Sequence, residues 1–303
     1  MIPLVVVGSA SRDLTPDDPR GWRLGGAAAY AGLTLARLGL RPRVLLGVDR
    51  AAGAAAELQW LRDAGADLYL HPLIEGPVFT NRDSPTGRMQ ICETPGVPIP
   101  PSALPAGWLD AIAWCLVPIA DEIDDAWAAL SRPGDLVAVG WQGLLRTLSR
   151  KGIVIRRAPR ASELLKRADV VCLSREDVED DSAAALLPLL EPPVMLVVTA
   201  GSEGGLSLSA DGAGRRLMRR YPAIEADAVV DGTGAGDAFL AGLVAARLGH
   251  PLAVSGRHGT DLRLAAALGS LVVERPGLLG VPSMAAVAQR MRRSLTTRRD
   301  RSA

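Results

Sequence analysis

The chain has 303 residues and a formal net charge of +1, with 48% hydrophobic and 22% charged residues. That composition belongs to a globular protein with a sizeable core and excludes disorder as its main state. The near-neutral balance gives nucleic acid or an anionic membrane no electrostatic claim as partner, and no run reaches the roughly 18 apolar residues of a membrane span.

Met1 leads directly into Pro3-Leu4-Val5-Val6-Val7-Gly8 without a basic leader, so a cytoplasmic protein is expected. Cys92, Cys115 and Cys172 are odd in number, far apart and set among apolar residues, which predicts reduced, buried thiols. The only lysines, Lys151 and Lys166, do not sit in a phosphate-binding G-x-x-x-x-G-K-[ST] loop. His71, His250 and His258 cannot form an H-E-x-x-H zinc site, and neither a C-x-x-C pair nor a G-x-S-x-G elbow occurs.

In chain order, short apolar runs fall at Val5 to Gly8, Arg43 to Val48, Leu68 to Leu70, Ala113 to Val117, Leu136 to Val139, Val170 to Leu173 and Met195 to Thr199. Runs of this kind suit strands buried on both faces. Between the first two, Ala28, Ala31, Leu35 and Leu38 share one helical face that stops at Gly39; Ala55, Leu58 and Leu61 do the same before Gly65. Alternating strands and helices predict an α/β fold with a mostly parallel sheet, helices on both faces, and ligands at the carboxyl ends of the strands. Residues 77–93 break the rhythm: two extended runs flank Ser84-Pro85-Thr86-Gly87, and Pro95, Pro98, Pro100 and Pro101 follow. We read this hairpin as a small β lid, with residues 11–24 as a further candidate for it. A second hairpin is expected over Gly204 to Tyr221 with Asp211-Gly212 at its tip. One domain over residues 1–290 and a frayed, basic tail over 291–303 complete the reading.

The sharpest chemical feature is Asp231-Gly232-Thr233-Gly234-Ala235-Gly236-Asp237, which runs into an apolar helix. A helix N-terminus collects unpaired N–H donors and the positive end of the dipole, and glycines let a phosphate reach the backbone. Asp237, in the first turn, is placed to take a proton from a hydroxyl while the amides hold a phosphoryl group. The spacing differs from the G-x-G-x-x-G of dinucleotide-binding folds, which argues against a dehydrogenase. Read alone, the same residues also describe a turn followed by an acidic residue that complements the dipole.

These residues resemble the D-x-T-G-A-G-D signature of the ribokinase-like (PfkB) carbohydrate kinases. Other stretches agree: Gly8-Ser9 through Asp13, Gly25-Gly26 through Gly39, Val197-Val198-Thr199-Ala200-Gly201 with Gly204, and Ala265 through Val272. The resemblance implies a three-layer ribokinase-like fold with a β lid, ATP and magnesium as cofactors, and phosphorylation of a hydroxyl on a small sugar or polyol. It assigns Asp237 as general base and Gly234, Ala235 and Gly236 as the anion hole. Asp13, Gly25, Gly26 and Tyr30 would line the acceptor site, with Arg88 reaching over it from the hairpin. Thr199, Gly201, Gly204, Thr233, Ala266 and Ser270 would form the nucleotide groove. Glu176 and Asp177 would order magnesium through water, and a monovalent cation would lie near Asp231 and Thr233.

Three positions depart from the family pattern. Tyr30 replaces an asparagine that touches the acceptor. Ser174-Arg175-Glu176-Asp177 stands where the family has N-x-x-E, and reads equally as a capped helical turn. The interval from Asp13 to Gly25 is short, which points to the hairpin as the whole lid. A nucleoside kinase is the nearest alternative, followed by a family member that binds ligand without catalysis. Monomer and homodimer both remain open.

Overall fold

The computed structural model describes residues 2–84, 87–178, 183–253 and 260–300. The chain opens with β1 (Leu4–Ser9), β2 (Ser11–Leu14), β3 (Trp22–Gly25), α1 (Ala27–Arg37), β4 (Arg43–Val48), α2 (Glu57–Asp63) and β5 (Asp67–Pro72). There follow β6 (Val78–Ser84), β7 (Gly87–Thr94), β8 (Ala113–Leu116), β9 (Leu136–Gly140), and the short β10 (Arg146–Thr147), β11 (Gly152–Ile153) and β12 (Ile155–Arg156). The last part comprises α3 (Glu163–Lys166), β13 (Val170–Ser174), α4 (Ala183–Leu186), β14 (Val194–Thr199), β15 (Gly205–Ala210), β16 (Arg216–Tyr221), α5 (Ala235–Arg247), α6 (Thr260–Val272) and α7 (Met284–Asp300).

A nine-stranded sheet in the order β16-β15-β14-β13-β9-β8-β1-β4-β5 forms the centre. Strands β14 to β5 in that order run parallel, and the β15–β16 hairpin closes one edge antiparallel. The six residues of β1 are all buried, and their alternation feeds two separate cores. Leu4 and Val6 point toward α1, α2, α5 and α6. Val5 and Val7 point to the opposite face, filled by Trp114, Trp127 and Trp141 together with α3, α4 and several 3-10 turns. One face thus carries the long helices, while the other is covered by bulky indoles on short turns. Helices α5 and α6 pack tightly because Gly242 lacks a side chain; a Cβ there would lie 2.7 Å from the Ala265 Cα.

Residues 77–93 lie outside this sheet, in a five-stranded one ordered β11-β7-β6-β2-β3. The hairpin is therefore joined by β2, which pairs parallel to β6, and by β3. Residues 11–24, the further candidate for the lid, thus share one sheet with the hairpin instead of leaving it alone. Segment 11–25 is held by the Trp22 ring, which has Arg20 4.5 Å and Arg12 5.9 Å from its centroid. Arg12 is in turn tied to Asp49, and Arg20 to Glu57. The hairpin tip at Pro85-Thr86 lies outside the described residues.

The C-terminal end also departs from expectation. Instead of a frayed tail after residue 290, α7 runs from Met284 to Asp300. Arg290 is 5% exposed and donates to the Glu225 carbonyl, Ser270 Oγ, Asp227 and Glu274. Charge pattern alone reads arginine as solvated, but these partners converge from distant parts of the chain and satisfy it inside. The three cysteines are free and buried. Among the described residues no helix is long and apolar enough to cross a membrane. Arg290→Ala should cost about 1–3 kcal/mol, since it leaves inward-facing acceptors unmatched. Arg292→Ala, on the exposed side of the same helix, should stay within about 0.5 kcal/mol. Urea unfolding of the two variants checks the contrast.

Candidate active site

The carboxyl ends of the parallel strands converge on one edge of the sheet, and the chemistry-bearing residues gather there. Strand β1 ends at Ser9, whose N–H donates to Glu122 Oε1 at 2.9 Å. The Glu122 carboxylate is 2% exposed and also accepts from the N–H groups of Ile119 and Ala120. Burial pushes its carboxyl up, opposed by these N–H donors. It pins the loop after β8 to the tip of β1 and so sets the level of the edge.

Helix α5 starts on this edge. Gly234 is its N-cap, in the left-handed conformation with φ 80°, and Ala238 N–H donates to the Gly234 carbonyl at 2.9 Å. A Cβ on Gly234 would overlap the Tyr30 ring at 2.2 Å. Glycine is therefore required twice over, by backbone angle and by contact. Tyr30 is 1% exposed. Its ring is the floor beneath the glycine turn. Gly236 is exposed, and Gly234 and Ala235 are partly so.

Asp231 stitches this turn to the segment after α6: Oδ1 accepts from Thr233 N–H at 2.9 Å and Oδ2 from Gly277 N–H at 3.0 Å. The N–H groups of Val230 and Asp231 both donate to the Val273 carbonyl and hold the same loop. A monovalent cation near Asp231 and Thr233 would have to share oxygens already engaged.

Asp237 follows in the first turn of α5. Desolvation raises its pKa from 3.8 to about 7; Arg146 opposes the rise, while Asp177 and Asp13 add to it. Asp13, on β2, accepts from Ser11 Oγ at 2.8 Å. Its carboxylate lies where a Cβ of Gly25 would be, 2.3 Å from Oδ2, and a Cβ on Gly26 would meet the Ser9 carbonyl at 2.3 Å. The pair Gly25-Gly26 thus lets β2 and β3 close on each other beside the carboxylate. Arg88 is on β7, opposite Asp83, and its side chain lies outside the described residues.

At the end of β13, Ser174 and Asp177 form a capping box: Ser174 N–H donates to Asp177 Oδ2 at 2.8 Å. Asp177 Oδ1 accepts from Gln142 Nε2 at 3.2 Å and lies 3.6 Å from Arg146 Nη2. Glu176 is exposed. Among the described residues no three His, Cys, Asp or Glu side chains form a metal cage. The set fits magnesium only as an ion that arrives with phosphates and keeps its waters, with Glu176 available toward it and Asp177 already committed to its cap.

At the end of β14, Thr199 Oγ1 donates to the Leu173 carbonyl at 3.3 Å. Gly201 and Gly204 both have positive φ, 54° and 88°, and close a tight turn in which Ala200 N–H donates to the Gly204 carbonyl. Across from it, Ala266 and Ser270 are each 8% exposed. Ser270 Oγ donates to the Ala267 carbonyl and accepts from Arg290, so α7 occupies the hydroxyl expected to face a nucleotide. Sequence reasoning missed Gln142 and Arg146. The available signal for Gln142 was its place just after β9, at a strand's carboxyl end, whereas Arg146, on β10, had none.

Residues 153–283 match the family model described as pfkB family carbohydrate kinase. Among curated proteins no sequence matches. A pyrophosphate-dependent kinase in the ribokinase family, solved with a pyrophosphate analog and myo-inositol, superposes with a TM-score of 0.72 at 18% identity, covering 94% of this chain and 99% of that one. Arabidopsis thaliana ribokinase, complexed with ribose and ATP, gives 0.67 at 20% identity, covering 96% and 99%. The nucleoside kinase of Methanocaldococcus jannaschii gives 0.68 at 18%, covering 96% and 99%. The chain thus has a ribokinase-like fold, and its residues 153–283 are similar to the pfkB family carbohydrate kinases.

A raised carboxyl pKa means that the native state holds the Asp237 proton more tightly than the unfolded chain does. Its contribution to stability is complete below pH 3.8, declines as pH rises, and is lost above about 7. Asp237→Asn should remove that decline. Its Tm should exceed wild type above pH 7 and converge with it in acid, as differential scanning calorimetry from pH 4 to 9 would show.

Proposed function

We propose that the protein is an ATP-dependent kinase that phosphorylates a hydroxyl of a small sugar or polyol. The observation that carries this reading is the glycine turn at the N-terminus of α5, with a carboxylate of raised pKa in the next turn. The turn presents backbone N–H groups at the positive end of a 13-residue helix, a setting for phosphate oxygens. A pKa of about 7 suits a general base near neutral pH, because the group is ionised yet still basic.

In this reading the acceptor lies between Asp13 and Asp237, beneath the five-stranded sheet, which serves as the lid. Asp13 hydrogen-bonds an acceptor hydroxyl and orients it. Asp237 takes the proton from the attacking oxygen as that oxygen bonds to the terminal phosphorus. The bond from phosphorus to the bridging oxygen breaks, and ADP leaves. The amides of Gly234, Ala235 and Gly236 hold the charge that gathers on the phosphoryl oxygens. The nucleotide lies along the turn from Thr199 to Gly204, beside Thr233 and the helix that carries Ala266 and Ser270. Magnesium bound with the phosphates would neutralise their charge, and Glu176 would hold it through water. The free buried thiols suit a reducing, cytoplasmic setting.

ADP release measured with ATP and magnesium across sugars, inositols, sugar acids and nucleosides should single out a sugar or polyol. Asp237→Ala should cut that turnover by about 10²–10⁴, the usual share of a positioned base. It should leave the ATP-induced rise in Tm intact, because the anion hole is backbone. Pyrophosphate consumed in place of ATP would replace the donor. Preference for nucleosides would replace the acceptor. Binding of ATP without turnover of any acceptor would leave a ligand-binding protein.

A further inference from the structure

Two amide side chains on the small sheet have their polarity set by an arginine. Arg146 Nη1 donates to Gln90 Oε1 at 2.9 Å. A guanidinium has no lone pair to offer, so the Gln90 oxygen must face it and Nε2 must face away. That Nε2 donates to Asn81 Oδ1 at 2.9 Å. The Asn81 oxygen is therefore taken by Gln90, and the amide nitrogen is turned away from it. Flipping Gln90 would set donor against donor at one end and acceptor against acceptor at the other. Arg146 is itself anchored: Nη2 lies 3.6 Å from Asp177 Oδ1, and its backbone pairs with Arg156. Among the described residues the Asn81 Nδ2 group has no hydrogen-bond partner, and the residue is half-buried.

The strand register fixes the face on which this donor lies. Asp13 on β2 pairs with Phe79 on β6, and Phe79 with Cys92 on β7. Asn81 follows Phe79 by two residues and pairs with Gln90, so it shares the face of Asp13. The next row, Leu14, Thr80, Ile91 and Ile153, points the other way. Phe79 is 3% exposed and Cys92 0%, against 38% for Leu14 and 57% for Ile153. The face of Asp13 and Asn81 is thus the inner one, turned toward the body of the protein. Strand β6 lies between β7 and β2, so the side of Asn81 away from Gln90 is the Asp13 side. Two residues along and one strand across put the two α-carbons roughly 8 Å apart, the scale of one sugar ring with its hydroxyls.

We infer that Asn81 determines acceptor specificity: its oriented N–H₂ group donates to a hydroxyl oxygen of the acceptor other than the one that attacks phosphorus. The class of acceptor this fits is a neutral, ring-sized polyol or sugar. The inference rests on the kinase reading for the place of the acceptor beside Asp13, and on contacts alone for the donor. Gln90 and Arg146 are positioning residues that spare the amide the loss of rotamer freedom on binding. An acceptor with hydrogen in place of that hydroxyl leaves the N–H₂ unmatched.

The test uses the full chain, with the best acceptor from the ADP-release panel and each of its monodeoxy analogues. Wild type should reject one analogue by about 10- to 100-fold in kcat/KM, the scale of one unmatched neutral donor. Asn81→Leu should raise the KM of the parent acceptor by a similar factor and treat that analogue and the parent alike. A merely structural role would weaken both equally and preserve the wild-type ratio. Gln90→Leu, which releases the amide from its fixed orientation, should shrink the same ratio by less.

A wild-type ratio in folded Asn81→Leu would overturn the inference, as would a wild type that accepts every analogue alike. Should Asn81→Leu fail to fold, Asn81→Ala and Gln90→Leu decide by the same ratio. Should wild type phosphorylate nothing, the kinase reading fails, and calorimetric binding of inositols, hexoses and their deoxy analogues decides Asn81. Binding of none of them would overturn the inference as well. Should nucleosides be the acceptors, the proposed class falls with the sugar reading, and deoxynucleosides decide the role of Asn81.

Discussion

The ring of Tyr30 occupies the space that any side chain at position 234 would need, and much of the site follows from that contact. Helix α1 carries the ring and helix α5 carries the turn, and the two are far apart in sequence. With Gly234 at φ 80°, the backbone turns into α5, and Ala235 N–H donates to the Gly232 carbonyl at 3.4 Å. A larger residue would push the turn off the ring and tilt the amides away from any anion they hold. The buried aromatic is a rigid shelf for a backbone that has no side chain of its own with which to anchor itself.

Electrostatics then divides the labour. Asp13 on the small sheet and Asp177 at the end of β13 both add to the rise that desolvation gives the Asp237 pKa. Asp177 is relieved by Ser174 N–H, Gln142 and Arg146, and Asp13 by Ser11. Asp237 is left with the raised pKa, and that is the property a proton acceptor near neutral pH requires. Structural roles and chemical roles are thus shared out among residues of the same type by their hydrogen bonds.

What could be read from the sequence was whatever lay within one element or one short motif. The apolar runs Val5 to Gly8 and Met195 to Thr199 announce strands because burial on both faces leaves no polar positions. Asp231 to Asp237 is legible because its glycines and acid do their work within one turn. Arg146 was invisible because Gln90, Asp177 and Gln142 meet it only after three strands have been placed. The contact of Tyr30 with Gly234 was hidden for a related reason: helical spacing says which face a residue occupies, not whether a glycine from another helix will lie on it. Arg290 reads as solvated until Asp227 and Glu274 are folded around it. The parallel pairing of β2 with β6 has no local signal at all, so the lid looked smaller than it is.

The chain passes from the central sheet into the small one with only Ala10 between β1 and β2, and Ala10 N–H is bonded to the Gly47 carbonyl. It returns through Gly25-Gly26 and enters α1 at once. The two crossings touch, since a Cβ on Gly26 would lie 2.3 Å from the Ser9 carbonyl. The small sheet is therefore a lever whose pivot is this pair of strands, and its short arm is the first turn of α1, where Tyr30 sits. A displacement of the outer strands would therefore reach the shelf under Gly234 through one helical turn, alongside the side-chain ties of Arg12 to Asp49 and Arg146 to Gln90.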